Sequence, residues 1–451
     1  MRLRQFAAVD RVLHFAALAA VLHFAAFARA NPVDAFGFGS RGPAMGNAAT
    51  AASEDASANV YNPAGLVVGR DLRIELGYRY AQPILKMNGR DTGVDASRGF
   101  NVALAAPASI GPFRFAFGMA LWLPDQRLTR VRSLPFAQPR FVYYDNRMQR
   151  LFLAANLAIQ IVPHLYVGAG LVFMSRTQGT LSLQGNVAVS DPDESALVTS
   201  INVDLVAVRY WQAGIRWDAL PYLTLAFMFR QEFTLQLDQS FRIDGSIGNP
   251  GITPIVPSGY FAARSISDDL FEPWQLTFGA AIRPTKHILV TFDLLYARWS
   301  DFPTPGSQLT LSLDIGQFNS MVHLPPPRTY PPSQFRDIVS PRVGVEWRVH
   351  DGPKLGVDAR AGYSYEPTPV PDQIGESNLV DNDKHTFAIG AGVEFKNLKP
   401  ILARPLAIDA HFAATYLPTR VTRKMDPLDP IGDYLSNGVV LQIGLMLRSR
   451  F

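Results

Sequence analysis

The sequence predicts an all-β protein: a transmembrane antiparallel β-barrel of about 14 strands, with its N-terminal segment inside the lumen. Three observations carry this expectation. The chain opens on a secretory leader and contains no cysteine. Segments of about ten residues alternate apolar with polar or small side chains, as strands that cross a bilayer do. The connections between those segments alternate between short turns and long loops.

The leader comes first. Arg2, Arg4 and Arg11 precede the apolar run VLHFAALAAVLHFAAFA, and Ala28-Arg29-Ala30 supplies a small-x-small cleavage pattern. Residues 1–30 therefore read as a signal peptide and take no part in the fold. No later apolar run is long enough for a transmembrane helix. A secreted chain without disulfides must find its stability elsewhere, and a closed hydrogen-bonded barrel is one source. The net charge of +4 includes the leader arginines and argues for neither a nucleic-acid surface nor an acidic tail.

The strands follow, over 71–451. At the C-terminus Val439, Leu441, Ile443, Leu445 and Leu447 alternate with Val440, Gln442, Gly444, Met446 and Arg448. Leu72, Ile74, Leu76, Tyr78 and Tyr80 alternate with Arg73, Glu75, Gly77 and Arg79, and Val343, Val345 and Trp347 with Arg342, Gly344 and Glu346. The same pattern places strands near 71–82, 98–106, 113–122, 147–162, 164–178, 204–218, 221–238, 270–283, 286–300, 338–349, 354–366, 384–397, 405–417 and 437–451. Alternation alone fits a soluble sandwich equally well. The connections separate the two. Turns at 162–164, 218–221, 283–286 and 350–353 are short, whereas 124–146, 179–203, 239–269, 301–337 and 418–436 are long. Short turns on one rim and long loops on the other is the layout of an outer-membrane barrel, and an even strand count leaves both chain ends on the short-turn side. Trp122, Trp211, Trp217, Trp274 and Trp299, near strand ends, suit interfacial girdles. A chain ending on a strand with a terminal aromatic, Phe451, resembles the C-terminal signature of bacterial outer-membrane proteins.

Residues 31–70 precede the barrel and are rich in Ala, Gly, Ser and Asn, without strand alternation. A barrel of this size has a wide lumen that must be filled or left wet; a small-residue plug folded inside is the simpler reading, and a disordered periplasmic extension is the other. Within this segment, Ser40-Arg41, Gly46, Asp55-Ala56-Ser57 and Asn62-Pro63-Ala64-Gly65-Leu66 resemble the N-terminal hatch of the FadL long-chain fatty-acid transporter family. Trp299-Ser300 with Phe302, Arg360 to Tyr363 with Pro369 to Asp372, and Asp381 to His385 with Gly390, Gly392 and Phe395 resemble further stretches of the same family. The resemblance implies a monomeric barrel in the bacterial outer membrane, plugged by 31–70. It implies Asp55, Asn62, Pro63, Ala64 and Gly65 as hatch residues. It also implies a fatty acid or other hydrophobic ligand, bound from outside and released sideways into the membrane lipid. The family's exit lies at a kink in the third strand. Gly118 is the one glycine of FRFAFGMALW, and it serves either as that kink or as a packing glycine beneath the hatch.

No catalytic set, phosphate loop, or Cys/His metal spacing is present, so neither an enzyme nor a cofactor is expected. A fatty acyl chain gains about 0.8 kcal/mol per buried methylene and needs an apolar pocket. Its carboxylate prefers a cationic partner. By alternation Arg176 faces the lumen near the outer rim and is the candidate partner; anchoring a loop or contacting lipopolysaccharide is the other role open to it. Leu134, Phe136, Phe141, Val142, Tyr143 and Tyr144 in one long loop, and Ile252, Ile255, Val256, Tyr260 and Phe261 in another, would make a greasy mouth. A diffusive porin and a structural or adhesive barrel are the alternative functions.

Overall fold

The structure is a computed structural model that describes residues 32–451 apart from 128–138, 142, 145–149, 189–195, 249–255, 304–307, 323, 325, 327–331, 373–377, 399–403 and 425–430. The leader expected at 1–30 lies outside the described residues, as do Leu134, Phe136 and Val142 of the first apolar loop and Ile252 and Ile255 of the second.

Fourteen strands make the wall. They are β1 (Arg73–Met87), β2 (Ser97–Ile110), β3 (Phe113–Pro124), β4 (Phe152–Val162), β5 (Leu165–Ala188), β6 (Ala196–Leu220) and β7 (Leu223–Arg230). The second half holds β8 (Gln275–Thr285), β9 (Ile288–Ala297), β10 (Ile338–Asp351), β11 (Leu355–Glu366), β12 (Lys384–Phe395), β13 (Leu406–Thr422) and β14 (Tyr434–Arg450). Each strand pairs antiparallel with the next. β14 then pairs with β1 from Arg450–Arg73 to Ser436–Met87 and closes the ring. Leu72 and Phe451 exchange backbone hydrogen bonds at 3.1 and 2.9 Å, so the terminal aromatic completes the seam. Closure leaves no wall edge unpaired, which a bilayer demands.

The side-chain pattern is inverted relative to a soluble protein. On β1, Arg73, Glu75 and Arg79 are buried, whereas Ile74 and Leu76 are 41% and 50% exposed. Leu157, Leu171, Phe278, Phe292, Val345, Trp347, Ile389, Phe412 and Leu445 continue the exposed apolar band. Asn101, Asn156, Gln212, Arg216, Thr291, Asp293, Arg360 and Asp409 line the inside. A water-soluble sandwich would not expose so large an apolar surface while burying its charges. Apolar outside and polar inside is the arrangement for lipid.

Tight turns at 111–112, 163–164, 221–222, 286–287 and 352–354 share one rim. Gly111 and His164 take positive φ there, 59° and 71°. On the other rim three expected loops contain strand. β5 and β6 run on as a hairpin as far as Asn186–Ala196. Strands Phe233–Gly248 and Val256–Glu272 pair with each other, and Gln308–Asp314 adds to the second. Phe233–Gly248 also runs parallel to the β5 extension. These pieces stand beyond the bilayer and need no continuous apolar face, so the pattern that marks a membrane strand stops before the strand does. The girdle expectation fails at two positions. Trp122 is fully buried, its ring 3.8 Å from the Arg79 guanidinium, and Trp299 is buried beside Tyr143 and Phe271. Trp211 and Trp217 do face outward.

Candidate functional site

Residues 32–68 touch the buried face of strands all round the ring, and cavities lie against the segment on two sides. The segment is built from short pieces, with helices Pro32–Phe36, Arg41–Ala44 and Ala58–Tyr61 and a 3-10 turn Pro63–Val67. Pro63 fixes its own φ and biases Asn62 to an extended backbone, here φ −167° and ψ 106°. That geometry points the Asn62 side chain in three directions. Its Oδ1 accepts from Ala64 N at 3.1 Å and caps the 3-10 turn. Its Nδ2 donates to Thr50 O at 3.2 Å within the segment and to Ile215 O of β6 at 3.1 Å. Ala64 and Gly65 are buried, and a Cβ at Gly65 would overlap the Ser53 carbonyl.

The wall accommodates this bend with glycines. A Cβ at Gly168 of β5 would lie 2.5 Å from Ala64 N, and one at Gly214 of β6 would collide with Asn62 Oδ1. Gly279, Gly344, Gly362 and Gly390 meet Thr50, Met45, Gly46 and Ala44 in the same way on the far side. Gly118 belongs to this set: a side chain there would strike Asn59 and Leu66. Its ladders to Ala105 and Asn156 run without a register shift on either side. Asn59 itself is fully buried, donating to Leu104 O at 2.9 Å and accepting from Asn156 and Gln212. Neither Asn156 nor Gln212 stands out in the sequence, because nothing in strand alternation says which lumen amides will meet.

Below the segment, toward the short turns, the lumen is ionic. Arg41 grips Glu346 of β10 through Nε and Nη2, both at 2.8 Å. Glu346 also holds Arg360 of β11 at 2.6 Å, Arg360 holds Asp409 of β13 at 2.6 Å, and Asp409 pairs with Arg448 of β14. Arg448 reaches Asp55 at 3.9 Å, and Asp55 returns to Arg41 at 3.7 Å. The circuit is closed, with alternating charge, and two of its six members belong to the N-terminal segment. Asp55 in addition accepts from Ser57 N at 3.1 Å. Across the lumen Glu54 pairs with Arg216 and Arg283 at 2.7 and 3.0 Å. Burial alone would raise the Glu54 carboxyl, but the two guanidiniums outweigh it and lower it to about 2. The anchor is therefore complete above the ordinary carboxylate value of 4.5 and fades only as pH falls toward 2. A cavity lies among these groups, bounded also by Arg73, Glu75, Arg348 and Glu394.

Above the segment the character changes. A cavity is walled on one side by Tyr61, Tyr143, Tyr144, Leu295 and Trp299, and its lining also holds the acids Asp34, Glu272 and Glu366. Over it lies an aromatic cluster in which Phe302 stacks on Phe335 at 4.2 Å and Phe271 meets Trp299 edge-on at 5.9 Å. Two loops cross the mouth and pair through Arg140–Phe141 and Leu379–Val380. Three cations reach this chamber. Arg230 is taken by Asp34 and by Val60 O. Lys384 is taken by Glu366 and Asp381 at 2.9 and 3.0 Å and lies over the Tyr143 ring at 3.7 Å. Arg342 of β10, half-buried, lines both this cavity and a smaller adjoining one. It makes no hydrogen bond or ion pair among the described residues. Its cross-strand neighbour Asp293 accepts instead from Thr50 N and Oγ1. Arg176, the cation chosen from the sequence, pairs through its backbone with Val206 on the β5–β6 hairpin, and its side chain lies outside the described residues.

Comparison with known proteins gives a consistent picture. The family model described as outer membrane protein transport protein (OMPP1/FadL/TodX) matches residues 17–426. No curated protein sequence matches significantly. Among solved structures, a Pseudomonas aeruginosa FadL homologue superposes with a TM-score of 0.58 at 16% identity, over 94% of this chain and 99% of that one. The Pseudomonas putida toluene transporter TodX gives 0.52 at 16% identity, over 92% and 99%. The CymD monoaromatic hydrocarbon channel gives 0.50 at 14% identity, over 91% and 97%. At such identities these structures speak for the fold alone.

Proposed function

Because this chain belongs to the outer membrane transport protein family OMPP1/FadL/TodX, we propose that it carries long-chain fatty acids across the bacterial outer membrane and releases them sideways into the lipid. The coarser part follows from membership: the chain is an outer-membrane β-barrel for hydrophobic compounds, in a family of transporters rather than enzymes. The finer part rests chiefly on Arg342. Neutral aromatic hydrocarbons, the cargo named for TodX and CymD, offer a cation only a π-face, whereas a carboxylate offers it a charge-assisted hydrogen bond. A chamber with aromatic side chains, acids that are already bonded to Arg230, Lys384 and Gln275, and one guanidinium without an ion pair suits an amphiphile with a carboxylate head. The acyl tail would gain about 0.8 kcal/mol per methylene in such surroundings.

Sideways release follows from what lies below. An acyl chain continuing along the axis would have to pass the paired charges of Arg41, Glu346, Arg360, Asp409, Arg448 and Asp55, which offer it no apolar surface. The wall of β2, β3 and β4 offers the alternative. Its inward residues are small, Ala103, Ala105, Ala116, Gly118, Ala120, Ala154 and Ala158, and the 3-10 turn Pro63–Val67 packs against them. In this reading residues 31–70 are the hatch, with Asp55, Asn62, Pro63, Ala64 and Gly65 seating it. Retreat of the turn opens the small-residue stretch around Gly118 to the bilayer. The barrel works as a monomer, since its own strands complete the wall and the chamber.

Binding to the purified barrel tests the cargo. Arg342→Met should weaken oleate by ~10-fold or more, the worth of one charge-assisted hydrogen bond, and leave toluene unchanged. Equal oleate affinity in the two proteins would remove the argument for a carboxylate cargo.

A further inference from the structure

Arg79 of β1 is fully buried inside the barrel, and no carboxylate answers it. Its Nη1 donates to Gly37 O at 2.8 Å, while Nε and Nη2 have no hydrogen-bond partner. The guanidinium is sandwiched between aromatic faces, 3.8 Å from the Trp122 ring and 5.0 Å from the Phe36 ring. His411 stands nearby with its Nδ1 also unsatisfied, and its Nε2 meets Gln442, whose amide donates to Phe36 O. Arg41, Arg216, Arg230, Arg283, Arg360 and Arg448 each pair with an acid, and Arg73, which does not, donates to the Glu54 and Leu66 carbonyls from two of its nitrogens, where Arg79 has one such bond. Isolating a charge in the interior is costly when nothing compensates it. Two π-faces and one carbonyl offset only part of that.

From these contacts we infer that Arg79 is a second, concealed carboxylate site, occupied by the ligand head group only after residues 36–37 move aside. The inference rests on the reading of the cargo as a carboxylate amphiphile and adds where its head group goes next. The position supports it. Residues 33–37 form one boundary of the chamber that Arg342 faces, and Arg79 lies directly behind Phe36 and Gly37. The adjoining cavity already extends to Gln442. Gly37 and Gly39 both take positive φ, 73° and 72°, a backbone that side chains would resist, so the turn that holds the Gly37 carbonyl against Arg79 depends on glycine. A carboxylate arriving at Arg79 would accept from Nε and Nη2, the two donors left open, in the planar fork that guanidinium offers. Displacing Phe36 and the Gly37 carbonyl would couple head-group binding to movement of the N-terminal segment.

The test compares oleate with oleyl alcohol, which has the same tail and no charge. Both are titrated against wild type, Arg79→Met and Arg79→Gln, following the unfolding temperature in mild detergent. Without ligand, both variants should unfold no lower than wild type, because they remove an unpaired buried charge. Oleate should stabilise wild type more than the alcohol does, and the variants should lose ~10-fold or more in oleate affinity while holding the alcohol as before. A variant that fails to assemble or unfolds well below wild type would make Arg79 a structural residue and overturn the inference. Undiminished oleate affinity, or equal loss for both ligands, would also overturn it. If wild type binds neither ligand, the cargo reading itself falls, which is a separate result.

Discussion

Deleting residues 31–66 should leave an assembled barrel that leaks. The segment contributes no strand to the wall, and the ring closes through β1 and β14 without it. Heat-modifiable gel mobility should therefore persist. The lumen, however, loses the segment that touches its wall all round, and conductance should rise from the lipid background to that of an open pore, with antibiotics and sugars entering freely. Selective oleate uptake should vanish, because the floor of the chamber is gone. The milder version is Asn62→Ala with Pro63→Ala. It removes three hydrogen bonds, to Ala64, Thr50 and Ile215, and the constraint on the bend. The loss of docking energy is about 3 kcal/mol. Uptake should fall while the barrel still assembles. A deletion protein that takes up oleate at the wild-type rate and stays tight would show the segment to be dispensable.

The second large effect concerns the ionic circuit. Arg360→Met should lower the unfolding temperature sharply, by an amount reflecting about 3–5 kcal/mol. Arg360 is buried among Glu346, Asp409 and Asp358, and removing it leaves those carboxylates facing one another with too few cations. The cost is that of uncompensated charge and not of a lost bond, so it should be partly relieved by neutralising a partner. Arg360→Met with Asp409→Asn should recover stability relative to the single variant. Equal stability of wild type and Arg360→Met would mean that water or rearrangement satisfies the acids, and the circuit would not hold the barrel and segment together.

These two regions show what a sequence can and cannot disclose about such a molecule. All fourteen wall strands are legible, because lipid imposes period-two alternation on every crossing and the tight turns mark one rim. Asn62-Pro63 is legible because proline rigidity makes the bend a local property. The circuit is not: Arg41 and Glu346 lie 305 positions apart, and alternation says only that each faces inward. Trp122 and Trp299 mislead for the same reason, since a tryptophan near a strand end fits a girdle until the lumen supplies Arg79 or Tyr143 as its neighbour. Gly118 admitted two readings from the sequence, and its neighbours in the structure, Asn59 and Leu66, are those of close packing. Arg342 was visible only as one polar residue of an alternating strand. Its significance comes from the partners that Arg230 and Lys384 have and it lacks. The outer hairpins escaped because strands in water are not obliged to carry an apolar face.

Selective passage of a hydrophobic carboxylate is the property that the barrel, the chamber and Arg342 together should produce. Liposomes reconstituted with the full-length mature barrel and loaded with a fatty-acid-binding dye measure it directly, beside swelling in small sugars. Oleate should enter faster than into protein-free liposomes, with no matching gain for sugar. Faster sugar influx with oleate influx unchanged would contradict the account and mark the barrel as a diffusive pore.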